Sequence, residues 1–432
     1  MLDYRFIAEN LEAVKKNIAD RNMKADAEEV VRLFNRRTEL TTALQGLQQK
    51  RNSNAAAMKG AGALSADERN GLIEEGKRLK DEIAACEAEL AGAEKAMEAE
   101  ARRIPNMAHP AAPIGREDKD NLEVKRVGSP PKFDFAPSDH VKLGQDLDII
   151  DFDSGTRVSG TKFYYLKNEG VFLELALTRY VLDMLAKKGF TPFITPDVAK
   201  EEILEGIGFN PRGAESNVYT LEGGEGCLVG TAEITLGGYY ADTIIPEEKL
   251  PLRMAGLSHC FRREAGAAGQ FSKGLYRVHQ FTKVEMFVCC LPEESEAFHE
   301  ELRLIEEEIF SGLEIPFRVV DTCTGDLGAP AYRKWDLEAW MPGRANPPSP
   351  EGGEWGEVTS TSNCTDYQAR RLNVKYKGKD GKNRYVHMLN GTAMALSRGI
   401  IAILENFQEA DGSVRIPEAL VPYCGFERIQ RR

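Results

Sequence analysis

The sequence predicts an α+β protein, with an antiparallel helical hairpin near the N-terminus and a body built on an antiparallel β-sheet with flanking helices. Three observations carry this. Residues 28–104 repeat apolar positions in alternating steps of three and four, the period of a coiled coil. The strand-like runs farther on are joined mostly by hairpins and loops, with few helices between them, which indicates an antiparallel sheet. There is no Gly-x-Gly-x-x-Gly run and no Walker lysine, so a nucleotide, if handled, is not held by a P-loop or a dinucleotide fold.

Taken in order, residues 1–25 read as a short helical cap. Val30, Leu33, Arg37, Leu40, Leu44, Leu47, Arg51, Asn54 and Met58 then form one seam. After a break at 59–63, Ser65 with Glu68 three residues on is a capping box that opens a second helix. Leu72, Gly76, Leu79, Ile83, Cys86, Leu90, Ala93 and Met97 repeat the spacing. Two helices of about 35–40 residues make an arm of roughly 50–60 Å at the α-helical rise. A generic dimerisation coil or half of a helical bundle would share the period. Against a bundle, no further long heptad helix follows, and the seam is weak at Arg37, Arg51, Asn54 and Gly76. The hairpin is better read as a solvated arm that touches a partner. Candidate contacts are Lys50, Arg51 and Lys59 near the tip, with Arg32, Arg36 and Arg37 nearer the base.

Residues 106–135, rich in Pro, Gly and charge, read as a linker between an N-terminal domain, 1–105, and a body, 136–432. Within the body a helix is expected over 171–188, a strand over TPFIT at 191–195, and strands over 252–261 and 275–290. A helix follows over 293–310, then a strand over 385–389 and, past Asn390-Gly391, a helix from about 392 to 408.

Bulk properties exclude several classes. No apolar run approaches the roughly 18 residues needed to span a bilayer, and the N-terminus is acidic and amphipathic, so a cytoplasmic protein without a membrane partner is expected. A formal net charge of −12 argues against sequence-blind binding of DNA or other nucleic acid, and RNA would have to be met by local basic patches. The eight cysteines are scattered without a Cys-x-x-Cys pair, which points to shielded free thiols rather than zinc or redox chemistry. Of the neighbours Cys289 and Cys290, at most one is expected to face inward.

The chemistry concentrates in residues 257–287. Alternate strand residues share a face. Arg262 and Glu264 are therefore expected to point one way, Arg263 the other, and Arg277, His279, Phe281, Lys283 and Glu285 to line one face of the next strand. Paired as a hairpin, these strands gather guanidinium groups, carboxylates and a ring on one surface, which suits a nucleotide and a zwitterion. Arg262 could instead form a structural ion pair with Glu264, and Phe281 could be ordinary core.

FRREAG at 261–266 with RVHQFTKVE at 277–285 resembles motif 2 of the class II aminoacyl-tRNA synthetases, and within that class the bacterial-type seryl-tRNA synthetases. GTAMALSRGIIAILENFQ at 391–408 resembles motif 3, and the helix over 171–188 with the strand reaching Pro196 resembles motif 1. VGTAEI at 229–234 and EVTSTSNCTDYQARR at 357–371 resemble two further blocks of that family, and the hairpin its tRNA-binding arm. The ordered set spans essentially the whole chain.

The resemblance implies a class II catalytic domain, the substrates ATP and L-serine, Mg²⁺, a homodimer built on motif 1, and tRNA(Ser) and, where present, tRNA(Sec) as acceptors. It implies Arg262 and Arg398 as catalytic residues. ATP would be held by Arg262, Arg263, Glu264, Val278, Phe281, Glu357, Val358, Thr359, Ser360 and Arg398. In it Glu264 reads the adenine amino group and Phe281 stacks on the ring. Thr231, Ala232, Glu233, Arg262, Glu285 and Thr392 would bind serine, with Glu285 reading the hydroxyl. Thr392 could equally be only a helix N-cap. Glu357 and Ser360 would hold the metal. Residues three apart face opposite sides of a flat strand, so this pair requires a bulge or a turn. An amino-acid:carrier-protein ligase, which lacks such an arm, and a non-catalytic synthetase-like regulator, which would have lost the key arginines and glutamates, are the alternatives.

Overall fold

The computed structural model describes residues 1–59, 65–209, 216–224, 226–265, 273–344 and 352–431. The expected turn at 60–63, most of the Gly-rich loop that the sequence places between the strands over 252–261 and 275–290, and most of the Pro-rich stretch 344–354, which reads from sequence as a surface insertion or a lid edge, lie outside them. The chain divides into two compact units, Met1–Met107 and Ala108–Arg432.

In the first unit, short helices Tyr4–Glu9 and Leu11–Asp20 precede α1 (Ala27–Lys59) and α2 (Ala66–Ala101). Ser65 caps α2: its hydroxyl accepts from the Glu68 N–H, and the Glu68 carboxylate accepts from the Ser65 N–H. Val30, Leu33, Leu40, Leu79, Ile83 and Met97 of the seam are buried. Its weak positions are accommodated in pairs. Asn54 donates to the Leu72 carbonyl at 2.9 Å, and a Cβ at Gly76 would stand 3.1 Å from Asn54 Nδ2. Arg37 pairs with Glu94 at 3.0 Å. Arg51 is exposed and leaves the seam altogether.

The second unit is organised by eight strands: β1 (Leu122–Val127), β2 (Thr191–Ile194), β3 (Leu252–Phe261), β4 (Gln280–Cys290), β5 (Phe317–Asp321), β6 (Arg333–Met341), β7 (Glu354–Asn363) and β8 (His387–Ala395). They form one sheet in the order β1-β5-β6-β7-β8-β4-β3-β2, antiparallel throughout except for the parallel pair β2–β3. The stretch read as a linker therefore supplies an edge strand, β1. Its short alternating run LEVKRV is exposed, as an edge allows.

Val284, Met286, Val288 and Cys290 face one apolar cluster, with Leu173 and Leu177 of α3 (Glu169–Lys187), Ile305 and Ile309 of α5 (Ser295–Gly312) and Ile400 of α6 (Leu396–Asn406). Phe287 and Cys289 face a second cluster, with Leu204, Ile234 of α4 (Ala232–Gly238) and Met388. Because both faces of the sheet are covered, Cys289 and Cys290 are both buried, contrary to the expectation that only one could be. All eight cysteines are free.

Two boundaries differ from the sequence reading. β4 starts at Gln280, not 275; residues 274–276 are a 3₁₀ turn. β8 continues through Asn390-Gly391 to Ala395, and α6 begins only at Leu396. Asn-Gly is a turn dipeptide on its own, but here Asn390 pairs with Ser362 and Gly391 with Thr361 across the sheet. Thr392 is thus a strand residue and not an N-cap.

Candidate active site

A cavity of about 380 Å³ opens on the face of the sheet that carries Lys283 and Glu285. Its floor comes from β4, β7 and β8, and its walls from the ends of β3 and α4 and the start of α6. Thr231, Glu233, Arg262, Glu264, Val278, Phe281, Glu285, Glu357, Val358, Thr359, Ser360, Thr392 and Arg398 all line it. Arg263 and Ala232 do not. Arg263 is exposed, and its N–H donates to the Asn217 carbonyl at 2.9 Å. Ala232 is the first residue of α4, which Thr231 caps by accepting from the Glu233 N–H.

β3 and β4 pair antiparallel, with Cys260 opposite Phe281 and Ser258 opposite Lys283. Period two does not extend to Glu264, however. β3 ends at Phe261, and Glu264 has φ +51°, left-handed backbone that turns it back toward the cavity. Glu264 pairs with Arg277 at 2.6 Å, not with Arg262. Among the described residues Arg262 forms no ion pair. Its Nε donates to the Gly230 carbonyl at 3.3 Å, and its guanidinium lies 5.5 Å from the Phe281 ring centre. That leaves a positive group available to an anion. Phe281 is half-buried at the cavity edge and is not dry core.

The bulge that the pair Glu357 and Ser360 requires is present. Leu337 pairs with Thr359 but Glu338 with Glu357, so Val358 is the extra residue and both polar side chains reach the cavity. Arg398, on the first turn of α6, donates to the Glu357 carbonyl at 2.8 Å and stands 3.4 Å from its carboxylate. Its guanidinium lies 4.6 Å from the Tyr276 ring centre. Burial works to raise the Glu357 carboxyl, but Arg398, Lys334, Arg262 and Arg277 together hold it below the usual carboxylate range. Glu357 is therefore an anion at neutral pH beside three arginines and a lysine.

At the inner end, Lys283 and Glu285 form a buried ion pair. Lys283 also donates to Thr392 Oγ1 at 3.3 Å, and Thr392 donates to Glu285 at 3.2 Å. A second β-bulge, at Ala393, sets this register: Val284 pairs with Met394 and Glu285 with Thr392. Glu233 accepts from Gln368 at 2.7 Å and from Asn390 at 2.9 Å. Burial, reinforced by Glu285, pushes its carboxyl up to about 7.

Sequence reasoning placed Arg277 and Lys283 on the right face without giving either a task, and it missed Tyr276, Lys334, Gln368 and Asn390. Reading Asn390-Gly391 as a turn hid Asn390. Lys50, Arg51 and Lys59 are exposed, with no ion pair among the described residues, whereas Arg32 pairs with Glu29 and Arg36 with Glu39 and Glu89.

A mainly antiparallel sheet covered on both faces, with an arginine- and carboxylate-lined cavity on one of them entered by Arg262 just past β3 and Arg398 from α6, defines a class II aminoacyl-tRNA synthetase core. The profile described as the tRNA synthetase class II core domain (G, H, P, S and T) matches residues 219–407, and the seryl-tRNA synthetase N-terminal domain matches residues 1–108. The chain is 71% identical to the serine–tRNA ligase of Treponema denticola, across 99% of this chain and 100% of that one. It is 56% identical to that of Rubrobacter xylanophilus, across 99% of both. Among solved structures, a seryl-tRNA synthetase from Pyrococcus horikoshii complexed with ATP superposes with a TM-score of 0.91 at 38% identity, covering 100% of both chains. The chain belongs to the serine–tRNA ligase family.

Proposed function

We propose that this protein activates L-serine with ATP and transfers the seryl group to tRNA(Ser). The observation that carries the proposal is the single cavity in which Arg262, without an ion pair among the described residues, an ionised Glu357 and a buried Lys283–Glu285–Thr392 cluster meet. In the first step a serine carboxylate oxygen attacks the α-phosphorus of ATP. The bond to the β-phosphate breaks, leaving seryl-adenylate and pyrophosphate. Arg262 is placed to take the charge that grows on the α-phosphate, and Arg398 to meet the distal phosphates while Phe281 stacks on adenine. In the second step the terminal ribose hydroxyl of tRNA attacks the seryl carbonyl and AMP leaves. Catalysis rests on positioning and charge stabilisation.

Thr392 and Glu285 would read the serine hydroxyl. A site built to hydrogen-bond a hydroxyl rejects the analogue lacking it by roughly 10⁴–10⁵, because its buried polar groups are left unpaired. Glu233 would take the ammonium. Glu357 and Ser360 suit Mg²⁺: two oxygen donors on one face, one of them ionised, to be completed by phosphate oxygens, since Mg²⁺ sites commonly combine one or two carboxylates with substrate phosphates. Mg²⁺ would there screen the phosphates. Lys50, Arg51 and Lys59, with Arg32 and Arg36, are the proposed tRNA contacts of the arm. Where a selenocysteine tRNA is present, the same site would serylate it. A homodimer is proposed on α3 and β2, where Phe172, Leu175 and Ile194 are 56%, 60% and 87% exposed. No helix among the described residues is long and apolar enough to cross a membrane.

The test is ATP–pyrophosphate exchange over the full amino-acid panel, then charging of total tRNA. Serine should drive exchange best; any other amino acid in that place overturns the assignment.

A further inference from the structure

Helix α5 presses Leu302, Ile305, Ile309 and Phe310 into the apolar face of the sheet, the face opposite the cavity. Of the buried polar residues on that helix, Ser295, His299, Glu306 and Glu307, two stand seven positions apart and so on one side of it, His299 and Glu306. The His299 ring lies 3.1 Å from the Thr361 carbonyl of β7. Glu306 is 1% exposed. Its Oε1 and the hydroxyls of Thr359 and Thr361 lack hydrogen bonds of normal geometry. A Cβ on Gly391 would stand 3.4 Å from Glu306 Oε1 and 3.2 Å from Thr361 Cβ, which puts the carboxyl under the Thr361–Gly391 rung. The neighbours of that rung, Ser360, Ser362, Asn390 and Thr392, line the cavity on the other side. Glu306 therefore sits directly behind the cavity floor.

We propose that Glu306 is a positioning residue for the activation step: joined to Thr359 and Thr361 behind the floor, its carboxyl fixes the tilt of β7 and so aims Glu357 and Ser360 at the nucleotide phosphates. This rests on the reading of the cavity as the serine-activating site. Burial, eased by the Thr359 hydroxyl and reinforced by Asp336 of β6, Glu285 of β4 and Glu307 of its own helix, raises its pKa well above the carboxylate range. As a neutral acid it has one O–H to donate and one carbonyl oxygen to accept, which matches two hydroxyls that each need a partner. Ionisation would put a bare negative charge behind the floor, so its contribution is present below that raised value and lost as pH rises through it.

Wild type, Glu306→Gln and Glu306→Leu are compared by serine-dependent ATP–pyrophosphate exchange from about pH 6 to 10, with circular dichroism as a fold control. The amide can donate and accept like the acid but cannot ionise. Glu306→Gln should stay within about threefold of wild type at neutral pH and lose its alkaline decline. Glu306→Leu should lower kcat/KM for ATP by about tenfold or more, with KM for serine little changed, because a misaimed strand costs orientation. An unchanged kcat/KM for ATP in Glu306→Leu, or an alkaline decline that persists in Glu306→Gln, overturns the proposal. If the leucine variant does not fold, the glutamine pH profile decides alone. A wild type that shows no serine-dependent exchange instead overturns the activation reading itself.

Discussion

If Glu233 takes the serine ammonium as proposed, this one side chain should make substrate binding depend on pH. Its carboxyl is buried, shares the cavity with Glu285 and is pushed up to about 7. Below that value it is mostly neutral and offers little to an ammonium; above it, a carboxylate faces the substrate. Serine should therefore bind more tightly as pH rises from about 6 to 8, with the gain levelling off once Glu233 is ionised. Steady-state KM for serine across that range reads it directly. Glu233→Gln should raise KM and flatten the dependence, and a slope that persists in the glutamine variant would assign the titration elsewhere. Lys283 belongs to the same balance. It sits against Glu285, so the pocket presents a compensated pair plus the Thr392 hydroxyl, not a bare charge. Such a pocket is matched to a neutral hydroxyl better than to a second cation.

At the scale of elements, two β-bulges do what ideal strands cannot. The extra residue Val358 lets Glu357 and Ser360 share a face, and the extra residue Ala393 brings Thr392 opposite Glu285. Deleting Val358 should restore a regular ladder in which Glu357 and Ser360 stand two apart and still share the cavity face. Exchange activity should then stay within about tenfold of wild type, with circular dichroism unchanged. A fall of about two orders of magnitude would show that the local twist of the bulge, and not the shared face alone, aims Glu357 at Arg398. The heptads of α1 and α2, the Ser65 cap and the full extent of β3 were readable because each depends on local spacing. So was the need for a bulge or turn between Glu357 and Ser360, since their spacing implied it. What could not be read depends on distant neighbours: the run of β8 through Asn390-Gly391, the burial of both Cys289 and Cys290, and the Glu264–Arg277 pair. Each arises where tertiary pairing overrides a local preference, as when a turn dipeptide finds strand partners on both sides.

At the scale of the whole molecule, the division of labour follows from where the cores lie. Both apolar clusters of the second unit are drawn from residues 143–429, and every cavity-lining residue lies there too. The first unit buries its apolar residues in the seam between α1 and α2 and, at the base, in Leu2, Ile7, Val14, Ile18 and Ile104, and much of its surface charge is taken up by ion pairs. Its helices, of 33 and 36 residues, give a rod of about 50 Å. A rod that contributes neither core nor cavity to the activation chemistry has a cost in chain length that only a partner can justify, and for a protein of net charge −12 that partner must be met through local cations. Replacing residues 28–104 by a short Gly-Ser link should therefore leave serine-dependent exchange within a few fold of wild type and abolish charging of tRNA(Ser). Reversing only Lys50, Arg51 and Lys59 to glutamate should raise KM for tRNA, leave KM for ATP and serine alone, and weaken the salt dependence of tRNA binding by about one unit of slope for each lost phosphate contact. If charging survives the deletion, tRNA is read by the body. If it survives only the triple reversal, the arm makes its contacts nearer the base, at Arg32 and Arg36.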